Sequence, residues 1–280
     1  MARILDICVI SDVHLGTYGC HAEELLEYLK SIQPKALIIN GDFIDAWQFK
    51  KRYFPKSHLE LIQYVIAMAI SGVKVYYITG NHDDILRKFS DVSIGPIVLK
   101  DSLVLKLNGK KHWFFHGDIF DTSVMISPTL AMWGGKGYDY LIRINRLINR
   151  MREKLGKPRI SFSKRIKNSV KQAVKFIGDF EQLAIKHAVK NQFDYVVCGH
   201  IHRPVIRENQ GADNSTTYMN SGDWIENLSA LELVDGKWKL FLYEESLLQR
   251  SALPKSNGEM VSSAKLRKRI KATKNLLRFW

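Results

Sequence analysis

The chain has 280 residues, 46% of them hydrophobic, with three cysteines and a formal net charge of +14. That length accommodates one large α/β domain, or a domain with a sizeable insertion. Three widely spaced cysteines exclude a disulfide framework and a thiolate zinc site, and point to a reducing compartment, most simply the cytoplasm.

Residues 4–11, ILDICVIS, form an apolar run rich in β-branched residues and predict a buried strand; Asp12 and His14 follow it directly. The same stretch lacks the apolar region and cleavage site of a signal peptide. HAEELLEYLKSIQ predicts a helix with Leu25, Leu26 and Leu29 on one stripe, and ALIIN (36–40) a second strand ending at Gly41-Asp42, with Asp45 three residues on. The next helix pattern aligns Leu61, Ile62, Val65, Ile66 and Ala69 and stops near Gly72. Its most apolar segment is too short to span a bilayer. VKVYYIT (73–79) predicts a third strand, which runs into Gly80-Asn81-His82-Asp83. A hairpin is expected at Asn108-Gly109, and its second arm, HWFFH (112–116), leads into His116-Gly117-Asp118.

Residues 120–190 interrupt this alternation. Leu141, Ile144, Ile148, Met151 and Leu155 recur at helical spacing, as do Phe162, Ile166, Val170, Val174, Ile177, Phe180 and Ala184, which predicts an inserted pair of amphipathic helices. A fifth strand, YVVC (195–198), ends at Gly199-His200-Ile201-His202, and a last hairpin turns at Asp235-Gly236. The expected architecture is a domain over residues 1–250, with a basic tail over 251–280. Residues 132–176 net +11 and residues 254–280 net +7, so the remainder nets −4. Two basic pieces on a mildly acidic core suit an anionic partner, or serve only as solvated, solubilising faces.

Ligands gather at the C-terminal edge of α/β sheets, and five successive strand ends here carry Asp, His or Asn. Carboxylate, imidazole and amide oxygen suit Mn, Fe or Zn. Asp12, His14, Asp42, Asn81, His116, His200 and His202 are too many ligands for one ion and fit two. Each motif alone has an ordinary reading as a turn, a helix cap or a buried pair; their joint occurrence after apolar runs points to a metal centre.

D-x-H, G-D-x-x-D, G-N-H-D, H-G-D and G-H-x-H over residues 12–202 resemble the signature of the calcineurin-like metallophosphoesterases. GHIHRP, NSGDWIENLSAL and the basic helical insert resemble the UDP-2,3-diacylglucosamine diphosphatase branch of that superfamily. The resemblance implies a β-sandwich flanked by helices and a phosphoesterase using two divalent metals, Mn²⁺ first, with Fe or Zn as alternatives. It also implies that Asp12, His14, Asp42 and His202 hold one metal and that Asp42, Asn81, His116 and His200 hold the other. His82 would act on the phosphate rather than on a metal, with Asp83 orienting it. The diphosphatases look like G-N-R-D at this turn, so His82 is a departure that matches the wider superfamily.

The implied substrate is UDP-2,3-diacylglucosamine or another nucleotide-linked lipid, cleaved to UMP and a lipid phosphate, by a cytoplasmic protein peripheral on the inner membrane. Arg143, Arg146, Arg150, Arg152, Lys164, Arg165 and Lys167 are candidates for substrate phosphates, and the tail for an anionic membrane surface. A soluble phosphodiester is the alternative. The insert lacks the aromatic interleaving that stacks bases, which argues against nucleic acid. A non-catalytic scaffold is disfavoured because every ligand position is filled.

Overall fold

The computed structural model describes residues 2–46, 53–120, 163–210 and 215–252; of 163–173, 209, 210, 215 and 248–252 only the backbone is described. Two sheets pack face to face. The larger contains β1 (Arg3–Ile10), β2 (Ile32–Asn40), β3 (Lys74–Ile78), β4 (Ser93–Ile94), β5 (Ile97–Lys100), β11 (Ser229–Val234) and β12 (Lys237–Leu242), in the order β12-β11-β1-β2-β3-β5-β4. The smaller contains β6 (Ser102–Leu107), β7 (Lys110–Phe115), β8 (Tyr195–Cys198), β9 (Val205–Gln210) and β10 (Ser215–Asn220), in the order β6-β7-β8-β10-β9.

Alternation along the strands explains the layering. Ile7 and Val9 of β1 and Ile38 of β2 meet Phe114, Val197 and Met219 of the smaller sheet in one core. Cys8 points the other way, where the Tyr28 hydroxyl of α1 (Ala22–Lys30) lies 3.4 Å from its sulfur. Helix α1 and α2 (Lys56–Ile70) bury Leu25, Leu29, Leu61, Val65 and Met68. Leu26 is only half-buried and Ile66 is exposed, so the apolar face of α2 is rotated towards Met68 from the expected stripe. Both predicted hairpins are present. Asn108 and Asp235 take φ of 49° and the glycines after them are also left-handed, the conformation a two-residue hairpin requires.

Helix α3 (Ser163–Lys190) matches the second predicted insert helix, with a shifted face. Phe180, Ala184 and Ala188 pack on Trp113, Phe115, Val196 and Tyr218 of the smaller sheet. Phe176 is buried and Val174 is 56% exposed, because a four-residue row from 176 to 188 tracks the sheet and 174 lies off it. Arg143, Arg146, Arg150 and Arg152, with the first insert helix and Phe162, lie outside the described residues, as do the side chains of Lys164, Arg165, Ile166, Lys167 and Val170.

The chain divides into two compact units, Met1–Tyr243 and Glu244–Trp280. Helix α4 runs over Tyr243–Ala252, and residues 253–280, which hold the basic tail, are outside the described residues. Among the described residues no helix is long and apolar enough to cross a membrane.

Candidate metal centre

β1, β2 and β3 are mutually parallel, so Ile10, Asn40 and Ile78 finish at one edge; β7, β8 and β10 are parallel in the other sheet and finish at Phe115, Cys198 and Asn220. The two edges meet: the His200 amide donates to Asp12 Oδ2 at 3.0 Å, and the Asn40 side-chain amide donates to Val197 O at 3.3 Å. The predicted metal ligands and His82 therefore lie at one end of the sandwich although they come from both sheets.

The backbone there is unusual. Asp12, His14, Asp42, His200 and His202 all have left-handed φ, between 52° and 68°. Such angles are uncommon outside glycine and cluster at functional sites, because surrounding contacts must hold them. Here the clamps are hydrogen bonds from Asp12 N to Gly41 O and from His14 N to Asp42 O. Gly41 and Gly80 let these turns approach closely. A Cβ at Gly41 would lie 2.2 Å from His116 Nδ1, and one at Gly80 2.2 Å from Asp42 Oδ1.

Three groups of donors result, one of them, His14, Asp45 and His82, sharing His14 with the first of the two groups that Asp42 links. Asp12, His14 and His202 present ligand atoms within 4.8 Å of one another, and so do Asp42, His116 and His200. Asp42 links them: its Oδ2 is 3.2 Å from His116 Nε2 and 3.8 Å from His14 Nε2. His116 Nδ1 lies 2.9 Å from Asn40 O, which can only accept, so that nitrogen carries the proton and Nε2 is the atom turned to Asp42. Asn81 enters from the β3 turn, where the next amide, His82 N, donates to Asp42 Oδ1 at 2.8 Å.

Four buried atoms test whether a metal fits. Asp12 Oδ1, His14 Nε2, Asn81 Oδ1 and His116 Nε2 have no hydrogen bond of acceptable geometry among the described residues. Orphaned buried acceptors are costly, and each of these belongs to a residue type that ligates divalent metals. The donor set fits divalent metal.

Electrostatics agree with that chemistry. Burial would raise the Asp12 carboxyl, but His202 and His116 overcome it and hold it at about 2. Burial likewise opposes ionisation of Asp42, and His116 together with His14 keeps it below the usual carboxylate range. The imidazoles respond reciprocally. Burial lowers His202, yet Asp12 lifts it to about 9, and Asp42 and Asp12 lift His116 well above its ordinary value against the same opposition. The carboxylates are thus anionic and ready to ligate, while metal loading must displace protons from the imidazoles.

His82 is half-buried at the edge of this cluster. Its Nδ1 lies 3.2 Å from Asp45 Oδ2, and its ring meets His14 edge-on at 4.6 Å. Burial pulls its pKa down, but the hydrogen bond to Asp45 and the Asp42 and Asp45 charges prevail and raise it. Asp83, expected to orient His82, is used elsewhere. Its Oδ1 accepts from Gly80 N at 2.6 Å, and its Oδ2 from Tyr77 OH at 2.6 Å and Phe43 N at 3.0 Å. Asp83 ties the turn to β3 and to the Asp42 segment; the carboxylate at the imidazole is Asp45. Adjacent side chains in a turn diverge, and the last Asp of G-D-x-x-D was the signal for the actual partner.

Asp223, inside the NSGDWIENLSAL motif, is a further residue of the site that is not among the ligand candidates. Its Oδ1 accepts amides from Ile225 and Asn227, and its Oδ2 lies 3.9 Å from His202 Nδ1, backing that ring. It follows β10, a parallel strand too polar to stand out.

Residues 5–204 match the calcineurin-like phosphoesterase family, and the chain belongs to it. It is a metal-dependent phosphoester hydrolase. Among named relatives, the UDP-2,3-diacylglucosamine hydrolase of Ectopseudomonas mendocina is 26% identical over 242 residues, covering 82% of this chain and 95% of that protein. The hydrolase of the same name from Stenotrophomonas maltophilia is 26% identical, covering 82% of this chain and 96% of its own. Among solved structures, Yfce, a phosphoesterase from E. coli, aligns over 85% of this chain and 93% of its own, with 15% identity and a TM-score of 0.43.

Proposed function

We propose that this protein hydrolyses the pyrophosphate of UDP-2,3-diacylglucosamine, or of a related nucleotide-linked lipid, to UMP and a lipid phosphate, using two divalent metals. The observation that carries the two-metal reading is Asp42 Oδ2, a single carboxylate oxygen between His14 Nε2 at 3.8 Å and His116 Nε2 at 3.2 Å. The names of the relatives favour the lipid substrate.

Asp12, His14, His202 and Asp42 would hold one ion, and Asp42, Asn81, His116 and His200 the other. Bound there, the ions, Mn²⁺ in the first instance, supply Lewis acidity and make water a nucleophile at neutral pH. The protein's own groups do the rest. Asp42 keeps the two donor sets in register. Asp45 holds His82 by Nδ1, so the imidazolium carries its transferable proton on Nε2, towards the leaving oxygen. Against burial, the hydrogen bond to Asp45 and the Asp42 and Asp45 charges raise the pKa of His82, which favours the charged acid form. The basic insert and tail suit the lipid phosphate and an anionic membrane surface, which would make the protein peripheral on the inner membrane.

His82 in place of Arg favours a second reading, a phosphodiesterase for a soluble substrate, because a titratable acid replaces a permanent cation beside the phosphate. UMP release from UDP-2,3-diacylglucosamine with Mn²⁺ and detergent, beside UDP-glucose and bis(p-nitrophenyl) phosphate, separates them. Release from the lipid alone supports the first reading; cleavage of the small diester without lipid turnover supports the second.

A further inference from the structure

Two ion clusters flank the metal centre, and their charge balances are opposite. On one flank Arg87, from the segment after the His82 turn, meets Asp118 Oδ2 at 2.8 Å and Asp101 Oδ1 at 2.7 Å. One guanidinium lies between two carboxylates, and nothing cationic is left over. On the other flank Glu181 of α3, only 2% exposed, faces two guanidinia, Arg203 on Oε1 at 3.5 Å and Arg207 on Oε2. One carboxylate satisfies one guanidinium, so this cluster keeps a surplus positive charge.

The position of the second cluster ties it to the metal ligands. Arg203 follows His202 directly, and α3 packs beneath the same loop. The Phe180 ring lies 6.2 Å from the His200 ring, and a Cβ on Gly117 would come within 2.8 Å of Phe180. Arg207 is two positions beyond Val205, which packs on the apolar cluster under α3, so register puts Arg207 on the helix-covered face; Arg203, just before the strand, is brought there by its contact with Glu181. Each is about half exposed, 50% and 47%, and among the described residues Glu181 is the sole side-chain partner of either. A guanidinium has five donors, and each one here gives a single nitrogen to Glu181. Two like charges held on one carboxylate repel one another, and a bound anion relieves that repulsion.

We propose that Arg203 and Arg207, gathered by the buried Glu181, form a phosphate-binding fork beside the ligand loop that receives the substrate phosphate not under attack. Paired guanidinia match phosphate oxygens in geometry and charge. The assignment of that phosphate to the substrate rests on the pyrophosphate reading above; the fork itself does not.

The direct test is a titration of the full-length protein with inorganic phosphate, following the side-chain Nε–H signals of the arginines by ¹⁵N NMR. The signals of Arg203 and Arg207 are expected to move together and saturate, while Arg87, closed by two carboxylates, moves far less. Arg203→Ala is expected to weaken the Arg207 response about tenfold, since one charge-assisted arm is lost. Uniform drift of all three arginines, or no response from Arg203 and Arg207, overturns the fork whatever the lipid assay shows. Kinetics then identify the source of the phosphate. With Arg203→Ala, kcat/KM should fall about tenfold more on a pyrophosphate substrate than on bis(p-nitrophenyl) phosphate, chiefly through KM. Equal losses on the two substrates, with weakened sedimentation on phosphatidylglycerol vesicles, would assign the anion to a membrane headgroup and overturn the substrate role.

Discussion

The two sheets contribute different chemistry to one site. The larger sheet delivers Asp12, His14, Asp42, Asp45, Asn81 and His82 from the ends of β1, β2 and β3, so it holds all the carboxylates of the donor set. The smaller sheet delivers His116, His200 and His202 from β7 and β8. Both groups that Asp42 links, Asp12 with His14 and His202 and Asp42 with His116 and His200, need residues from the two sheets. The acidic half alone would set buried carboxylates against one another, and the imidazoles of the smaller sheet are what hold Asp12 at about 2. Packing the sandwich core therefore also assembles the centre, because Ile7, Val9, Phe114 and Val197 lie on the strands whose ends carry the ligands.

The largest expected effect comes from removing the residue that both halves share. Asp42→Ala should reduce phosphodiesterase activity to background and the metal content to at most one ion per chain, measured by elemental analysis. Retention of two ions would show that the halves do not depend on Asp42. A smaller effect separates ligands from chemistry. His82→Ala should keep both ions and lower kcat on the order of 10²-fold, the ordinary contribution of a positioned general acid. Loss of metal from that variant would move His82 into the ligand set.

The Asp45 contact gives a prediction with a sign. Asp45 raises the pKa of His82, and an acid must be protonated to act, so activity falls as pH rises through that pKa. Asp45→Asn lowers the pKa of His82 towards its ordinary value, and the alkaline limb of the pH–kcat profile should move to lower pH. An unmoved limb would mean that another group sets it. The smallest effect concerns the turn itself. Asp83→Asn leaves one acceptor oxygen for the three donors of Gly80, Phe43 and Tyr77, and should cost about 1–3 kcal/mol of stability, read by thermal denaturation. A stable variant with a shifted pH profile would instead restore Asp83 as the partner of His82.

Strand ends were legible in the sequence because burial writes them plainly: β1, β2, β3, β7 and β8 are apolar runs followed by polar turns, and Asn-Gly and Asp-Gly mark the β6–β7 and β11–β12 hairpins. β9 and β10, VIRENQ and STTYMN, are too polar to stand out, and β4 has two residues. The phase of α3 was legible only approximately, since Val174 and Phe176 are equally apolar and the sheet beneath decides between them. At the site, the residue types and motif order carry the ligand candidates. Contacts between segments far apart in sequence, such as Asp45 with His82, Asp223 behind His202 and Glu181 with Arg203, depend on distances that no local pattern encodes.

The proposed centre holds two ions joined through Asp42. Electron paramagnetic resonance of the Mn²⁺-loaded full-length protein, with the manganese counted in the same sample, tests it most directly. Two ions per chain with an exchange-coupled signal, lost in Asp42→Ala, is the predicted result; a single ion, or two uncoupled ones, would contradict it.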